Sequence, residues 1–198
     1  MKKINFLVLF TLVLLASACG GGSSTSQMTL NSPDGIVAIQ NLIKDKFSKY
    51  DGKITAVNIT CDQSYIPETI SVDYKDGDKI KSAIYTEYTD VVESENGTPA
   101  NVNAFSVSDI DLTKLTDNLI KASEKVLEKD KEFSDFGIEN LTFKKNDKGE
   151  LETLYYLHAN HPGKPYFGKR VSAAHTFFEF IVVMDKDGNV VSISDLEI

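Results

Sequence analysis

The hydrophobic positions after residue 32 first recur with the period of a helix. Ser32 is a candidate N-cap, and Pro33 suits the first helical position. Four apolar residues then follow at spacings of three, four and four, which places them on one helical face: Ile36, Ile39, Ile43 and Phe47. Asp51 and Gly52 end the pattern. The sequence therefore predicts one amphipathic helix at the start of the domain.

Patterns typical of β-strands follow this helix. Residues 54–61 are rich in β-branched side chains, and residues 69–74 alternate between apolar and polar positions, as a half-buried strand requires. Asp76 and Gly77 form a pair that favours a hairpin turn. Residues 80–92 are predicted to return as a longer strand. Residues 93–103, which contain Asn96, Gly97 and Pro99, are predicted to form a polar loop at the middle of the domain.

The second half of the chain repeats this order of elements. Asp109 or Asp111 is predicted to cap a second amphipathic helix. Its apolar face is spaced three, four, three and four positions apart: Leu112, Leu115, Leu119, Ala122 and Val126. Residues 138–145 and 151–158 are predicted to form a hairpin, and residues 190–194 the last strand. Residues 173–184 are apolar on both faces and are therefore predicted to form a central strand.

This organisation predicts an α+β fold. We expect one antiparallel β-sheet with two amphipathic helices on one face, built as two units of a helix followed by strands. In architecture alone this resembles the PepSY-like and β-lactamase-inhibitor-like modules of secreted bacterial proteins, and a cystatin-like sheet wrapped on a helix is a second analogue. Such a likeness implies a fold and not a function.

The first 26 residues have a different pattern. Lys2 and Lys3 precede an apolar run at residues 6–15, which is followed by the small residues 16–18 and by Cys19. The run is about half the length of a membrane-spanning helix, which needs about 20 apolar residues, so it indicates a secretory signal. Residues 20–26 contain only Gly, Ser and Thr, the composition of a flexible linker.

This order of segments resembles a bacterial lipoprotein export signal with its lipobox. Ala16 stands where the lipobox usually has Leu. The resemblance implies a signal peptide at residues 1–18, acylation of Cys19, and a membrane partner bound through that lipid. We divide the remainder into a tether at residues 19–31 and a single domain at residues 32–198. Gly20, rather than Asp, after the cysteine indicates an outer-membrane protein facing the periplasm, with the cell surface as the alternative location.

The charge of the chain argues against one class of partner. The formal net charge is −8, and residues 1–18 contain lysine but no acidic residue, so the mature chain is more negative still. Nucleic-acid affinity depends on Lys and Arg contacts with phosphates. The composition therefore predicts no nucleic-acid partner, and it predicts a lipid rather than surface charge as the membrane anchor.

Two residue types could carry chemistry. If Cys19 is acylated, Cys61 has no partner in the chain, and we interpret it as a small buried apolar residue. His158, His161 and His175 form the chain's cluster of metal-type ligands. A spacing of three on a strand end does not bring two histidines together unless a loop distorts it. The metal site is therefore kept as an alternative, and no cofactor is expected.

The most unusual segment of the mature domain lies at residues 162–170. It combines three cations with two adjacent aromatic residues in an acidic chain. Exposed aromatic residues on loops are common in binding surfaces. The candidate binding residues are Lys164, Tyr166, Phe167, Lys169 and Arg170. The alternative is a hairpin connection in which Tyr166 or Phe167 folds back onto the sheet.

These observations predict a cell-envelope lipoprotein whose domain binds a protein, peptide or glycan partner without catalysis. The sequence has no Ser-His-Asp signature, glycine-rich phosphate loop or Cys-x-x-Cys motif. A metal-assisted hydrolase that uses the three histidines is the first alternative, and a structural envelope component is the second.

Overall fold

The computed structural model describes residues 28–99, 102–163, 167–170 and 177–194. It contains two α-helices and nine strands in these ranges. Helix α1 spans Pro33–Phe47 and α2 spans Leu115–Lys129. The strands are β1 (Ile54–Cys61), β2 (Pro67–Asp76), β3 (Lys79–Thr86), β4 (Thr89–Pro99), β5 (Ser134–Lys145), β6 (Leu151–Asn160), β7 (Lys169–Arg170), β8 (Phe177–Asp185) and β9 (Val190–Ile193).

The strands form one open antiparallel sheet. Its order is β4-β3-β2-β1-β5-β6-β8-β7, and β9 also pairs with β8. The two halves of the chain join at the centre of this sheet, where Ile59 of β1 lies opposite Leu141 of β5. The predicted fold class is therefore wrong. Strands account for 46% of the structure and helices for 24%, so a continuous open sheet, and not a pair of helix-and-strand units, defines the fold.

The excess of strand has a local origin at residues 86–99. The predicted strand at residues 80–92 is broken by a turn at Glu87 and Tyr88, and the predicted polar loop at residues 93–103 instead supplies most of β4. Strand β4 lies at the edge of the sheet and pairs with β3. Edge strands tolerate charged residues, Gly and Pro, which central strands avoid. The polar composition of this segment is therefore compatible with an edge strand.

The first helix is confirmed, and its start has the predicted physical cause. The Ser32 side chain accepts a hydrogen bond of 3.1 Å from the backbone N–H of Gly35, and Pro33 begins the helix. The predicted capping of the second helix is wrong, because α2 starts at Leu115 after Lys114. Asp109 instead closes a capping box with Ser106 on a short 3₁₀ turn.

The two faces of the sheet differ in burial. We call the face that packs against the core the covered face; it includes Val57, Ile59, Val72, Leu141, Tyr155 and Val182. The opposite, open face includes Asn58, Ser71, Thr142, Leu154 and Val183, which follow one another across the strands. Strand β8, where a central strand is predicted, lies between β6 and β7 near one edge of the sheet, and it is buried at alternate positions, so its second face is only half-buried.

The fold begins before the predicted domain boundary. Leu30 is buried in the core, and its backbone N–H donates to the Tyr65 carbonyl at 2.9 Å. The Thr29 hydroxyl also donates to the Ser64 carbonyl, which lies with Tyr65 in the loop between β1 and β2. Residues 28–31, predicted as the end of the tether, thus belong to the folded domain. Among the described residues, neither helix is long and apolar enough to cross a bilayer.

Candidate functional site

The chain enters the domain at one end of the sheet, which we call the tether end. It contains Met28 to Asn31, the β1–β2 loop at residues 62–66, the β3–β4 turn, the start of β5 and the end of β6. The Tyr65 hydroxyl donates to the Phe136 carbonyl across this end. Cys19, the predicted lipidation site, lies outside the described residues. The predicted signal peptide and most of the predicted tether lie outside them as well.

His158 lies on the open face near the tether end. Its imidazole Nδ1 is 3.6 Å from the Glu139 carboxylate, and its ring meets the Phe177 ring edge to face at 5.8 Å. The ring rests against Gly137, where a Cβ atom would come within 2.3 Å of Nε2. A residue larger than glycine at position 137 would displace this ring.

His161 is buried on the covered side. Its Nδ1 accepts a hydrogen bond of 3.0 Å from the Gly163 N–H, so the proton is on Nε2, which donates to Asp130 at 3.0 Å. The ring also packs edge to face on Phe133, with a centroid distance of 4.5 Å. Both ring nitrogens of this histidine are therefore engaged by the protein itself.

The structure does not bring His158 and His161 to a common point. Their rings contact Phe177 on the open face and Phe178 on the covered face, respectively. A zinc ion needs its imidazole ligands at about 2.1 Å from one centre. His175 lies outside the described residues. The two described histidines therefore do not form the metal site considered from the sequence.

A different set of metal-type ligands surrounds His161. Single ligand atoms of Asp130, Glu132 and His161 lie within 4.8 Å of one another. Metal-bound histidines usually donate their second N–H to an acceptor. Here the second nitrogen accepts from Gly163, so a metal on Nε2 would require an anionic imidazole ring. We interpret this set as a buried histidine–carboxylate hydrogen bond.

The predicted binding segment divides into buried and exposed parts. The Phe167 side chain is 4% exposed and packs on the rings of Phe133 and Phe180, at centroid distances of 5.4 and 5.6 Å. Lys169 is exposed on β7, opposite Glu179 of β8. Lys164 and Tyr166 lie outside the described residues, as does the Arg170 side chain. Phe167, predicted as a candidate binding residue, is therefore part of the hydrophobic core, whereas the Lys169 side chain is exposed.

Gly168 explains how Phe167 reaches the core. Its φ of +85° lies in the left-handed region that favours glycine. A Cβ atom at this position would also lie 2.7 Å from a ring carbon of Phe180. The turn that buries Phe167 is thus compatible with glycine and strained with any larger residue.

Cys61 is buried at the end of β1. Burial first, and the nearby Asp62 and Glu68 carboxylates second, raise the pKa of its thiol to about 12. The thiolate is the nucleophilic form of cysteine. Cys61 therefore has no reactive form near neutral pH, in agreement with its interpretation as a buried apolar residue.

One cluster was not predicted from the sequence. The Glu93 carboxylate on β4 accepts hydrogen bonds from the Tyr50 hydroxyl at 2.7 Å and from the Tyr74 hydroxyl at 3.0 Å. Lys49 donates to the same carboxylate at 2.7 Å. These hydrogen bonds, led by that of Lys49, lower the pKa of Glu93 to about 2. We call these four residues the Glu93 cluster; it ties the edge strand to the end of α1.

No local pattern in the sequence indicates the Glu93 cluster, because its members are distant along the chain. Tyr50 follows a helix, Tyr74 belongs to a strand, and Glu93 stands in a segment predicted as a loop. Burial, followed by the hydrogen bond to Glu93, raises the pKa of Tyr74 to about 12. The Tyr74 hydroxyl therefore keeps its proton at neutral pH and donates to Glu93, which connects β2 to the edge strand β4.

The comparisons with known proteins assign no family. No family model and no curated protein matches the chain. A crystal structure of a candidate lipoprotein from Clostridium difficile 630 is similar in part, with 14% sequence identity, 79% of this chain and 89% of that chain covered, and a TM-score of 0.38. A likeness of this size supports no assignment of fold or function. The resemblance in architecture to PepSY-like modules receives no support.

Proposed function

We propose that this protein is a lipid-anchored lipoprotein of the bacterial cell envelope. The observation that carries the proposal is the order of segments before the domain: two lysines, an apolar run at residues 6–15, small residues and Cys19. Two or three acyl chains on one residue would hold the domain at a membrane, because each buried methylene contributes about 0.8 kcal/mol. The absence of Asp after Cys19 favours the periplasmic side of the outer membrane.

The start of the folded domain is compatible with this arrangement. Met28 stands nine positions after Cys19, and Leu30 is already buried in the core. The segment between Cys19 and Met28 is rich in Gly and Ser. A flexible chain of this length has an r.m.s. span of about 16 Å. Such a tether would keep the domain close to the bilayer and leave its surfaces accessible.

The domain is proposed to bind a protein, peptide or glycan rather than to catalyse a reaction. Two of the groups in the described part of the chain that could take part in catalysis, His161 and Cys61, are engaged within the fold. Both nitrogens of His161 are hydrogen-bonded, and burial keeps Cys61 protonated. In the segment at residues 162–170, Phe167 is buried in the core, and Lys169, two positions later, is exposed. We propose this segment, with Lys164, Tyr166 and Arg170, as the partner contact.

Lipidation is tested by labelling with a fatty acid in a bacterial host. The chain offers a matched pair of variants, because it contains only two cysteines. We expect Cys19→Ser to lose the label and to leave the membrane fraction, whereas Cys61→Ala keeps both. Equal labelling of the wild type and the Cys19→Ser variant would overturn the proposal.

Partner binding is tested by photo-crosslinking in intact envelopes. A crosslinking residue at Lys169 is compared with one at Lys186, which is also an exposed lysine but lies in the β8–β9 turn at the other end of the sheet. We expect a discrete adduct at position 169 that Tyr166→Ala weakens, and no such adduct at position 186. Equal adducts at both positions would contradict a localised contact.

A further inference from the structure

The position of the tether orients the domain. The Leu30 backbone is hydrogen-bonded to Tyr65 in the β1–β2 loop, so the chain leaves toward Cys19 from the tether end. A stretch of nine residues reaches at most about 30 Å when fully extended. Strand β2 has 10 residues and is therefore about 33 Å long. A flexible segment of this length has an r.m.s. span of about 16 Å, which is half the length of the strand, so acylation of Cys19 favours orientations in which the tether end lies nearest the bilayer.

The β3–β4 turn lies at this same end. Thr86 at the end of β3 is opposite Thr69 near the start of β2, and Pro67 of β2 is opposite Cys61 at the end of β1. The turn that connects β3 to β4 consists of Glu87 and Tyr88. It is therefore on the side of the domain that the tether holds toward the membrane.

Tyr88 is the most exposed large hydrophobic side chain among the described residues, with 91% of its surface accessible. The turn that presents it is braced, because the hydroxyls of Thr86 and Thr89 are hydrogen-bonded at 2.8 Å. Asp90, the next residue, is 3.2 Å from the Lys46 ammonium of α1. Tyr88 thus projects from a fixed turn and has no packing role in the core.

We propose that Tyr88 inserts into the headgroup region of the bilayer and gives the lipid-anchored domain a second membrane contact. The proposal rests on the acylation of Cys19. Tyrosine suits this position, since its ring is apolar and its hydroxyl remains hydrated, and tyrosine is enriched at membrane interfaces. One ring binds a bilayer weakly by itself. A short tether makes the contact intramolecular, with an effective concentration in the millimolar range, so a weak contact suffices.

The charges beside Tyr88 determine which lipid headgroups this contact favours. Glu87 and Asp90 flank the turn, and anionic headgroups attract cations and repel such a site. The contact therefore suits a zwitterionic surface such as phosphatidylcholine or phosphatidylethanolamine. It orients the domain and contributes little to retention, because the acyl chains already hold the protein.

The absence of tryptophan from the chain provides a direct test. The Tyr88→Trp variant of the full lipidated chain is reconstituted in phosphatidylcholine vesicles with brominated acyl chains, which quench a nearby indole. The matched control is Val102→Trp. Val102 is 47% exposed and precedes Phe105, whose N–H donates to Ile54 at the opposite end of the sheet. Circular dichroism establishes that both variants fold.

We expect the emission of Tyr88→Trp to be lower in brominated vesicles than in vesicles of the same lipid without bromine, because the indole lies at the membrane interface, whereas the emission of Val102→Trp changes little. Replacement of part of the lipid with phosphatidylglycerol should weaken the quenching. Equal quenching in both variants, or quenching that rises with anionic lipid, would overturn the inference while the protein still floats with the vesicles. Failure to float with the vesicles would instead contradict the acylation itself.

Discussion

Two clusters on the covered side of the sheet hold peripheral segments by different physical means. The Glu93 cluster holds the edge strand β4 through a carboxylate that accepts three hydrogen bonds. At the other side of the sheet, an aromatic cluster holds His161 and Phe167 through packed rings: Phe133, His161, Phe167, Phe178 and Phe180. The first arrangement depends on charge, and the second depends on buried area.

This difference has a thermodynamic consequence. Burial of a large aromatic side chain removes about 150–250 Å² from water, and its effect on stability changes little with pH. A carboxylate whose pKa is lower in the folded protein stabilises the fold only while it is ionised. We therefore expect the aromatic cluster to dominate total stability and the Glu93 cluster to dominate its acid dependence.

The largest expected effect comes from Phe167→Ala. It removes a ring that is buried against Phe133 and Phe180 and leaves a cavity in the core. Loss of a buried phenylalanine costs about 3–5 kcal/mol. Urea unfolding followed by circular dichroism measures this change. Tyr88→Ala is the control and should leave the free energy of unfolding unchanged; equal losses in both variants would contradict the burial of Phe167.

A smaller loss is expected from Asp130→Ala, which leaves the buried Nε2–H of His161 without its acceptor. An unsatisfied buried donor costs about 1–3 kcal/mol. Glu132→Ala should cost much less, since the Glu132 side chain is 68% exposed and its carboxylate is 3.7 Å from the ring. Thermal unfolding with and without zinc checks the interpretation. A zinc-dependent rise in the wild-type melting temperature that Asp130→Ala abolishes would show a metal site instead.

Tyr74→Phe should destabilise the fold less than the loss of a buried ring does. It removes one donor from the Glu93 carboxylate and keeps the ring that stacks on Tyr50 at 4.2 Å. We expect a loss of about 1 kcal/mol, as for a typical hydrogen bond. Denaturant unfolding at pH 7 measures it, with Tyr88→Phe as a control that changes nothing. A decrease in the free energy of unfolding as large as that of Phe167→Ala would contradict the difference proposed between the two clusters.

The smallest effect is a change in acid dependence. The pKa of Glu93 falls from an ordinary value of 4.5 to about 2 in the folded protein. Its contribution is therefore fully present above pH 4.5 and is lost as the pH falls toward 2. In Glu93→Gln this contribution is absent, so the wild type should be more stable at pH 7, and the difference should shrink between pH 4.5 and 2.

Glu87→Gln is the matched control for this experiment, because Glu87 lies exposed in the β3–β4 turn. Its unfolding should follow the wild-type pH profile. A constant difference between the wild type and Glu93→Gln across pH 2–7 would contradict the assigned role of this carboxylate.

The sequence predicts the elements whose patterns are local. Ser32, Pro33 and the apolar stripe of α1 specify that helix without reference to the rest of the chain. Strand β4 could not be predicted, because an edge strand can be polar on both faces, and only its pairing with β3 distinguishes it from a loop. The start of α2 was predicted wrongly because Asp109 caps the preceding 3₁₀ turn and not the helix. The fold class was missed for the same reason, since pairing between distant strands decides it.

The candidate site was predictable only in part. The alternation of a strand already indicated that His158 and His161 face opposite sides, and the structure agrees. The burial of Phe167 depends on Phe133, which precedes it by 34 positions, and on a left-handed Gly168. The Glu93 cluster joins three elements, so no local pattern marks it. The positions of side chains in tertiary contacts thus lie beyond what periodicity specifies.

We propose that Cys19 attaches the domain to a membrane through lipid. The most direct measurement is the mass of the amino-terminal peptide of the protein purified from membranes. We expect the mature chain to start at Cys19 and this residue to have gained the mass of a diacylglyceryl group. A peptide that begins with an unmodified Cys19, or that retains residues 1–18, would contradict it.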